Sequence, residues 1–187
     1  MSNNGVELQL GYNDRVGAFQ WNVSGLISFV TNEVHSLAPG VTNIQAGADG
    51  DFTEGYNVTQ TAPSHPIQSL YGYVVEGIFQ DSAQITKHAT QAAGTGPGDL
   101  MFKDLNHDGV IDSKDETYLG SFIPKYNYSF NLGANYKNFG FSVFFAGVQG
   151  NKIYNATRTA TEGMIRFFNA GTRVLDAWTP SNTNTDV

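Results

Sequence analysis

The feature that most restricts this chain is a two-residue rhythm sustained over long runs. From Phe19 the odd positions read Phe19, Trp21, Val23, Gly25, Ile27 and Phe29, with Gln20, Asn22, Ser24, Leu26 and Ser28 between them. From Tyr126 the even positions read Tyr126, Tyr128, Phe130, Leu132, Ala134 and Tyr136, against Asn127, Ser129, Asn131, Gly133 and Asn135. Val6, Leu8, Leu10 and Tyr12 alternate in the same way with Glu7, Gln9, Gly11 and Asn13. Phe139, Phe141, Val143 and Phe145 form a rougher run, because Phe144 interrupts its polar side. Side chains of a strand point alternately to opposite faces, so this rhythm predicts strands with one apolar and one polar side.

The runs pair off. Strands are expected near Val6–Tyr12, Gly17–Val30, Lys125–Tyr136 and Phe139–Val148, with a short polar turn over Asn13–Gly17 and a tight one at Lys137-Asn138. Strands of soluble sheets have a typical length of ~5–6 residues, whereas strands that cross a bilayer need ~9–11. Phe19–Phe29 and Tyr126–Tyr136 belong to the longer class and begin and end in aromatic residues. Rings at both ends suit a strand whose tips lie at two membrane–water boundaries. Between the hairpins stretches a long connection, Thr31 to Pro124, and the part after Gln149 is polar and rich in Gly, Asn and Thr. Such a connection is foreign to a compact soluble domain but ordinary in an outer-membrane barrel, with its short periplasmic turns and long outer loops. Within it, Tyr71–Phe79 reads as a strand, Asp81–Gln91 as a short helix, and Gly94–Gly98 as a hinge before a further strand.

Composition removes other classes. A net charge of −7 leaves nothing to neutralise a run of phosphates, so no nucleic-acid partner is expected. The aromatic content is too high for a disordered acidic tail. There is no cysteine, hence no disulfide, thiolate ligand or thiol nucleophile. No apolar run reaches the ~18 residues of a transmembrane helix. No secretory leader is visible at the N-terminus, and one is expected upstream of this chain.

The sharpest local signal is Asp104 to Asp115, which has the layout of a calcium-binding loop. Oxygen-bearing side chains fall at positions one, three, five, nine and twelve: Asp104, Asn106, Asp108, Asp112 and Asp115. Gly109 stands at six, where the chain must turn sharply, and Val110 at seven would offer its backbone carbonyl. Calcium takes six to eight oxygens, and a chain wrapped round one ion turns alternate residues inward. Position twelve departs from the usual pattern by being Asp115 rather than Glu, and the flanks do not read as paired helices. The plainer reading of the stretch is an Asp/Asn/Gly-rich surface turn. His35, His65, His88 and His107 are scattered without metal-ligand spacing, His107 being expected to face solvent, and no nucleophile-elbow pattern appears. No active site is expected. Tyr56, Tyr71 and Tyr73 are loop aromatics that could stack on sugars or serve packing.

The stretch Gly98–Asp112, then Gly120, Pro124 and Tyr136–Phe139, resembles the C-terminal barrel region of SusC/RagA-type TonB-dependent outer-membrane transporters of Bacteroidetes. Asn4–Leu8, Tyr71–Tyr73, Gly77–Gln80, Trp178 and Asn182-Thr183 are similar to that family as well. The resemblance implies a plugged barrel of about 22 strands in a Gram-negative outer membrane, importing oligosaccharides or peptides with a SusD-like surface lipoprotein. It also implies coupling to TonB through N-terminal regions absent from this chain, which shows no plug, TonB box or closing aromatic strand.

The expected architecture is all-β: an antiparallel transmembrane β-barrel segment of about four strands with a long extracellular loop insertion. Residues 1–30 and 125–148 would be barrel hairpins, and 31–124 an extracellular loop region holding the calcium-type loop 104–115. Residues 149–187 would be a further extracellular loop. Two other readings stand beside it. One is a soluble calcium-stabilised β-module for adhesion or glycan binding, with its aromatic faces buried within the chain. The other is a barrel enzyme, which would need a nucleophile and base that the sequence does not display.

Overall fold

A computed structural model describes residues 1–164 and 169–186; residues 165–168 and Val187, within the expected outer loop 149–187, lie outside the described residues. In chain order the elements are β1 (Ser2–Val16), β2 (Phe19–Glu33), β3 (Ile44–Ala46), β4 (Thr59–Thr61), β5 (Ser69–Gly72), β6 (Val75–Ile78), α1 (Ser82–Lys87), β7 (Leu100–Phe102), β8 (Thr117–Gly120), β9 (Tyr126–Tyr136), β10 (Phe139–Gln149) and α2 (Ala156–Glu162). Single 3-10 turns lie at Ser113–Asp115 and Thr172–Asp176. The class is all-β with little helix, as the alternation predicts. No helix of the described residues is long and apolar enough to cross a membrane.

The chain divides into two compact units. One holds Met1–Ile44, Thr61–Gln68 and Gly120–Ile153, and the other holds 45–60, 69–119 and the residues from Tyr154 on. The first is built on a four-stranded antiparallel sheet in the order β1-β2-β9-β10. This is an open sheet: the described residues close no barrel. β1 is longer than the predicted Val6–Tyr12, since every residue from Ser2 to Val16 is paired, up to Glu33 and down to Phe19. Backbone pairing is indifferent to side-chain polarity, so Asn3, Asn4, Asn13, Asp14 and Arg15 extend the strand although they end the apolar rhythm. The turn predicted over Asn13–Gly17 shrinks accordingly to Gly17-Ala18. Gly17 supplies φ +63°, and at the matching position of the other tight turn Lys137 takes φ +53°. Phe144 causes no bulge; it stays in register opposite Asn131. At the far end of β2, Asn32 Oδ1 accepts the Ile67 N–H at 2.7 Å, while Val34 exchanges backbone hydrogen bonds with His65 and Ser64. Val34 is buried there.

The second unit holds more regular structure than the strand, short helix and further strand expected in the long connection. Strands β4 and β5 pair antiparallel within the sheet order β3-β4-β5-β8, and β6 pairs with β7. The predicted strand Tyr71–Phe79 is therefore two strands in different sheets, broken at Tyr73 and Val74. The predicted helix over Asp81–Gln91 is one and a half turns, Ser82–Lys87, capped by Asp81, whose side chain accepts the Gln84 N–H at 2.8 Å. Phe79, 1% exposed, is the core of this unit, with the His88 ring edge-on against it at 5.2 Å. Gly98, expected as a hinge residue, is a packing position: a Cβ there would stand 2.9 Å from the Trp178 ring, whose Nε1–H donates to Gln80 Oε1 at 2.9 Å.

Candidate functional site

The registers of the large sheet place every apolar run on the same face. One row across it is Leu10, Gly25, Phe130 and Phe145; the next is Tyr12, Val23, Leu132 and Val143. At the tight-turn end the row is Val16, Phe19, Tyr136 and Phe139, and at the opposite end Val6, Phe29, Tyr126 and Gln149. Every row carries at least one ring, and the tight-turn end carries the most, with Phe19, Tyr136 and Phe139 side by side. Tyr12 and Trp21 touch at 5.2 Å, as do Phe29 and Tyr126, the latter edge to face. This face is uncovered. Leu10 is 67% exposed, Phe145 61% and Phe139 81%. A soluble sheet buries its apolar side under a second layer; here the rings and aliphatic chains are presented outward as a contiguous surface well beyond what a soluble monomer ordinarily exposes.

The opposite face carries Gln9, Asn13, Gln20, Asn22, Ser24, Asn131 and Asn135, with Leu26, Val30, Phe144, Ala146 and Val148 as apolar exceptions. Its charged side chains within the paired rows are Glu7 and Arg15. Two hollows lie toward the tight turns, of 390 and 280 Å³, and share Asn22 and Asn135. Gly133 makes room there: a Cβ at that position would collide with the Asn22 amide.

Loop 104–115 is held by its own acids. Asp104 Oδ1 accepts the His107 N–H at 2.7 Å and its Oδ2 the Gly109 N–H at 2.9 Å. Asn106 Oδ1 accepts the Asp108 N–H, and Asp108 Oδ1 the Val110 N–H, at 2.8 and 3.0 Å. His107 is exposed and turns the chain at φ +60°, followed by Gly109 at +83°. Asp115 is 0% exposed. Its Oδ1 accepts the Leu105 N–H at 2.9 Å, and its Oδ2 the Asp112 N–H at 2.9 Å. Asp112 in turn accepts the Lys114 N–H, so the pair forms a reciprocal cap on the turn Ser113–Asp115. The backbone donor of Asp112, then those of Leu105 and Asn106, hold the Asp115 carboxyl below the usual range. The Asp108 carboxyl is lowered first by the Val110 N–H.

Sequence reasoning passed over two participants. Lys114 Nζ stands 3.5 Å from Asp108 and 3.3 Å from Asp112, and these acids raise its own pKa. Its signal was present as a lysine set between aspartates at position eleven. Thr90 is the other: its N–H donates to Gly109 O at 2.8 Å and its carbonyl accepts the Ile111 N–H at 2.9 Å. No local motif announces that partner. Among the described residues, no three His, Asp or Glu side chains are grouped to hold a metal. The acids spread along the loop instead, on backbone donors and on Lys114. Of the loop aromatics, Tyr56 is 73% exposed. Tyr73 is committed to packing, with Phe102 at 5.3 Å and a hydrogen bond to Glu116; burial, then Glu116, raises its pKa.

No family model matches the chain. It is 31% identical over 170 residues to TonB-dependent receptor P3 of Formosa agariphila, covering 90% of this chain and 17% of that protein. It is 28% identical over 193 residues to TonB-dependent receptor P26 of the same organism, covering 100% of this chain and 19% of that one. Its fold matches a chain of the RagAB peptide transporter with a TM-score of 0.72 at 22% identity, over 99% of this chain and 19% of that one. The RagAB peptide importer in its open-open state matches with a TM-score of 0.67. The chain therefore spans under a fifth of the length of these relatives.

Proposed function

Because this chain is a SusC/RagA-like stretch of TonB-dependent transporter sequence, we propose that its four long strands are part of a barrel wall in the outer membrane of a Gram-negative, Bacteroidetes-like bacterium. The complete transporter imports oligosaccharides or peptides together with a SusD-like lipoprotein, energised through TonB. The apolar face lies against lipid, the amide- and hydroxyl-bearing face lines the lumen, the tight turns are periplasmic and the loop-bearing ends extracellular. One observation carries this reading: the apolar face is bare in the folded chain along the whole length of the paired strands. The soluble β-module needs that face buried, so the same observation weighs against it.

The lipid assignment is tested in a Trp178→Phe background, where Trp21 is the remaining tryptophan. In vesicles whose acyl chains carry bromine, Trp21 fluorescence should be quenched relative to unbrominated vesicles. A monodisperse, water-soluble chain with an unquenched Trp21 would sink the barrel reading.

The same reading gives loop 104–115 a structural calcium ion. The donor chemistry suits a hard divalent cation: Asp104, Asn106, Asp108, Asp112 and Asp115 offer side-chain oxygens, and Val110 its carbonyl. When bound, the ion would supply the positive charge that Lys114 provides to Asp108 and Asp112. Calorimetric titration of the folded chain with calcium should give heat that the combined Asp104→Ala and Asp108→Ala changes abolish. If there is no heat, and chelator leaves the melting temperature unmoved, the loop is an acid-pinned turn and nothing more.

A further inference from the structure

The two tight turns of the large sheet solve one steric problem differently. Each is two residues long and takes a positive φ at its first residue; Gly17 meets this without strain, whereas Lys137 adopts φ +53°, which a lysine disfavours. Backbone strain at a non-glycine residue persists where its surroundings hold it, and it directs attention to what the side chain does. The Lys137 ammonium lies over the Tyr136 ring, 5.3 Å from its centroid, and is exposed. Among the described residues it makes no ion pair. Tyr136 belongs to the terminal row with Phe19 and Phe139, whose rings stand outward on the apolar face. A lone cation is thus fixed at the rim of an uncovered aromatic belt, with apolar surface on one side and water on the other.

We propose that Lys137, seated on Tyr136, binds the phosphodiester of an anionic membrane phospholipid, one whose headgroup carries no balancing cation. The inference rests on the apolar face being lipid-facing. Charge and position single out this ligand: the ring and its neighbours occupy the headgroup level, and the ammonium sits where a phosphate oxygen would meet it. A lysine stem packed along aromatic surface with its head turned to the interface is a favourable arrangement.

The test uses the full chain and its partition into vesicles of phosphatidylcholine alone or mixed with phosphatidylglycerol. Comparing the mixed-to-neutral partition ratio between variants isolates Lys137 from every other charge on the chain. Lys137→Gly removes the ammonium at a position that suits glycine, and Lys137→Asn provides a second neutral variant tolerated at positive φ. The native ratio should exceed that of both by roughly five-fold at low salt. Lys137→Arg should keep the native ratio, and high salt should close the gap. A Lys137→Gly chain with the native ratio overturns the proposal, as does inorganic phosphate erasing the preference where chloride of equal ionic strength does not. Association with neither vesicle overturns the lipid-facing reading together with this one; association with an unchanged ratio overturns this one alone.

Discussion

Removing a carboxylate from water is unfavourable unless its oxygens are met by donors, and Asp115 meets this by gathering backbone N–H groups from both ends of its loop. Asp115→Ala leaves those donors without an acceptor. It should lower the melting temperature and loosen amide protection at Leu105 and Asp112, measured with chelator present so that no ion contributes. Lys114 works in the opposite sense on calcium. Lys114→Gln removes a cation that competes for Asp108 and Asp112, and should tighten calcium binding several-fold in the same calorimetric titration; weaker binding would count against the calcium assignment. Near the end of the chain Asp186 is held below the usual carboxyl range by its hydrogen bond with Arg173. Its lowered pKa means stability that is present above the unfolded value, about pH 4, and lost as pH falls through the lower folded one. That acid loss should be visible by exchange of nearby amides at low salt and fade in high salt, since the pair is exposed.

At the scale of strands, the two faces should respond unequally to the same charge. Phe130 and Asn131 are neighbours in β9 on opposite sides of the sheet. In the bilayer-embedded transporter, Phe130→Lys should cost about 2–4 kcal/mol of unfolding free energy, the range for a charge at the lipid midplane. Asn131→Lys should cost far less, and equal costs would mean that neither face meets hydrocarbon. The hairpins and their faces were legible because alternation alone decides them: Tyr126 to Tyr136 announces both strand and orientation without reference to any other segment. The adjacency of β2 and β9 was not announced, because about ninety residues separate them and nothing local in Phe29 points to Tyr126. Loop 104–115 was legible as a pattern of oxygens and a turn glycine, whereas the direction in which each acid turns depends on Thr90 and Lys114, which no spacing rule contains. The short strands β3, β4 and β8 escaped notice for a similar reason. Three- and four-residue runs have no room to display a period, and what reads as one apolar island is divided at Tyr73 and Val74, which no local signal marks.

Over the whole molecule, apolar side chains are used in two opposite ways. The large sheet turns them outward, and among the described residues of the second unit Phe79 is the buried apolar side chain. Phe79→Ala should therefore be costly, about 3–5 kcal/mol for a fully buried ring, and should strip exchange protection from 69–119. The ladder β1-β2-β9-β10 serves as the internal reference in the same sample; unchanged protection throughout 69–119 would show that this ring does not hold the unit. The large sheet is also uneven in height. β9 pairs with β2 as far as Phe29 opposite Tyr126, while β1 and β2 remain paired through Asn4 and Thr31 to Ser2 and Glu33. Four further residues at about 3.3 Å each carry that hairpin roughly 13 Å higher, in a stretch whose side chains are mostly polar. In the membrane placement proposed above, the chain that leaves the sheet at Val34 starts from a paired hairpin raised clear of the hydrocarbon, and its first unpaired residues lie beyond the headgroups.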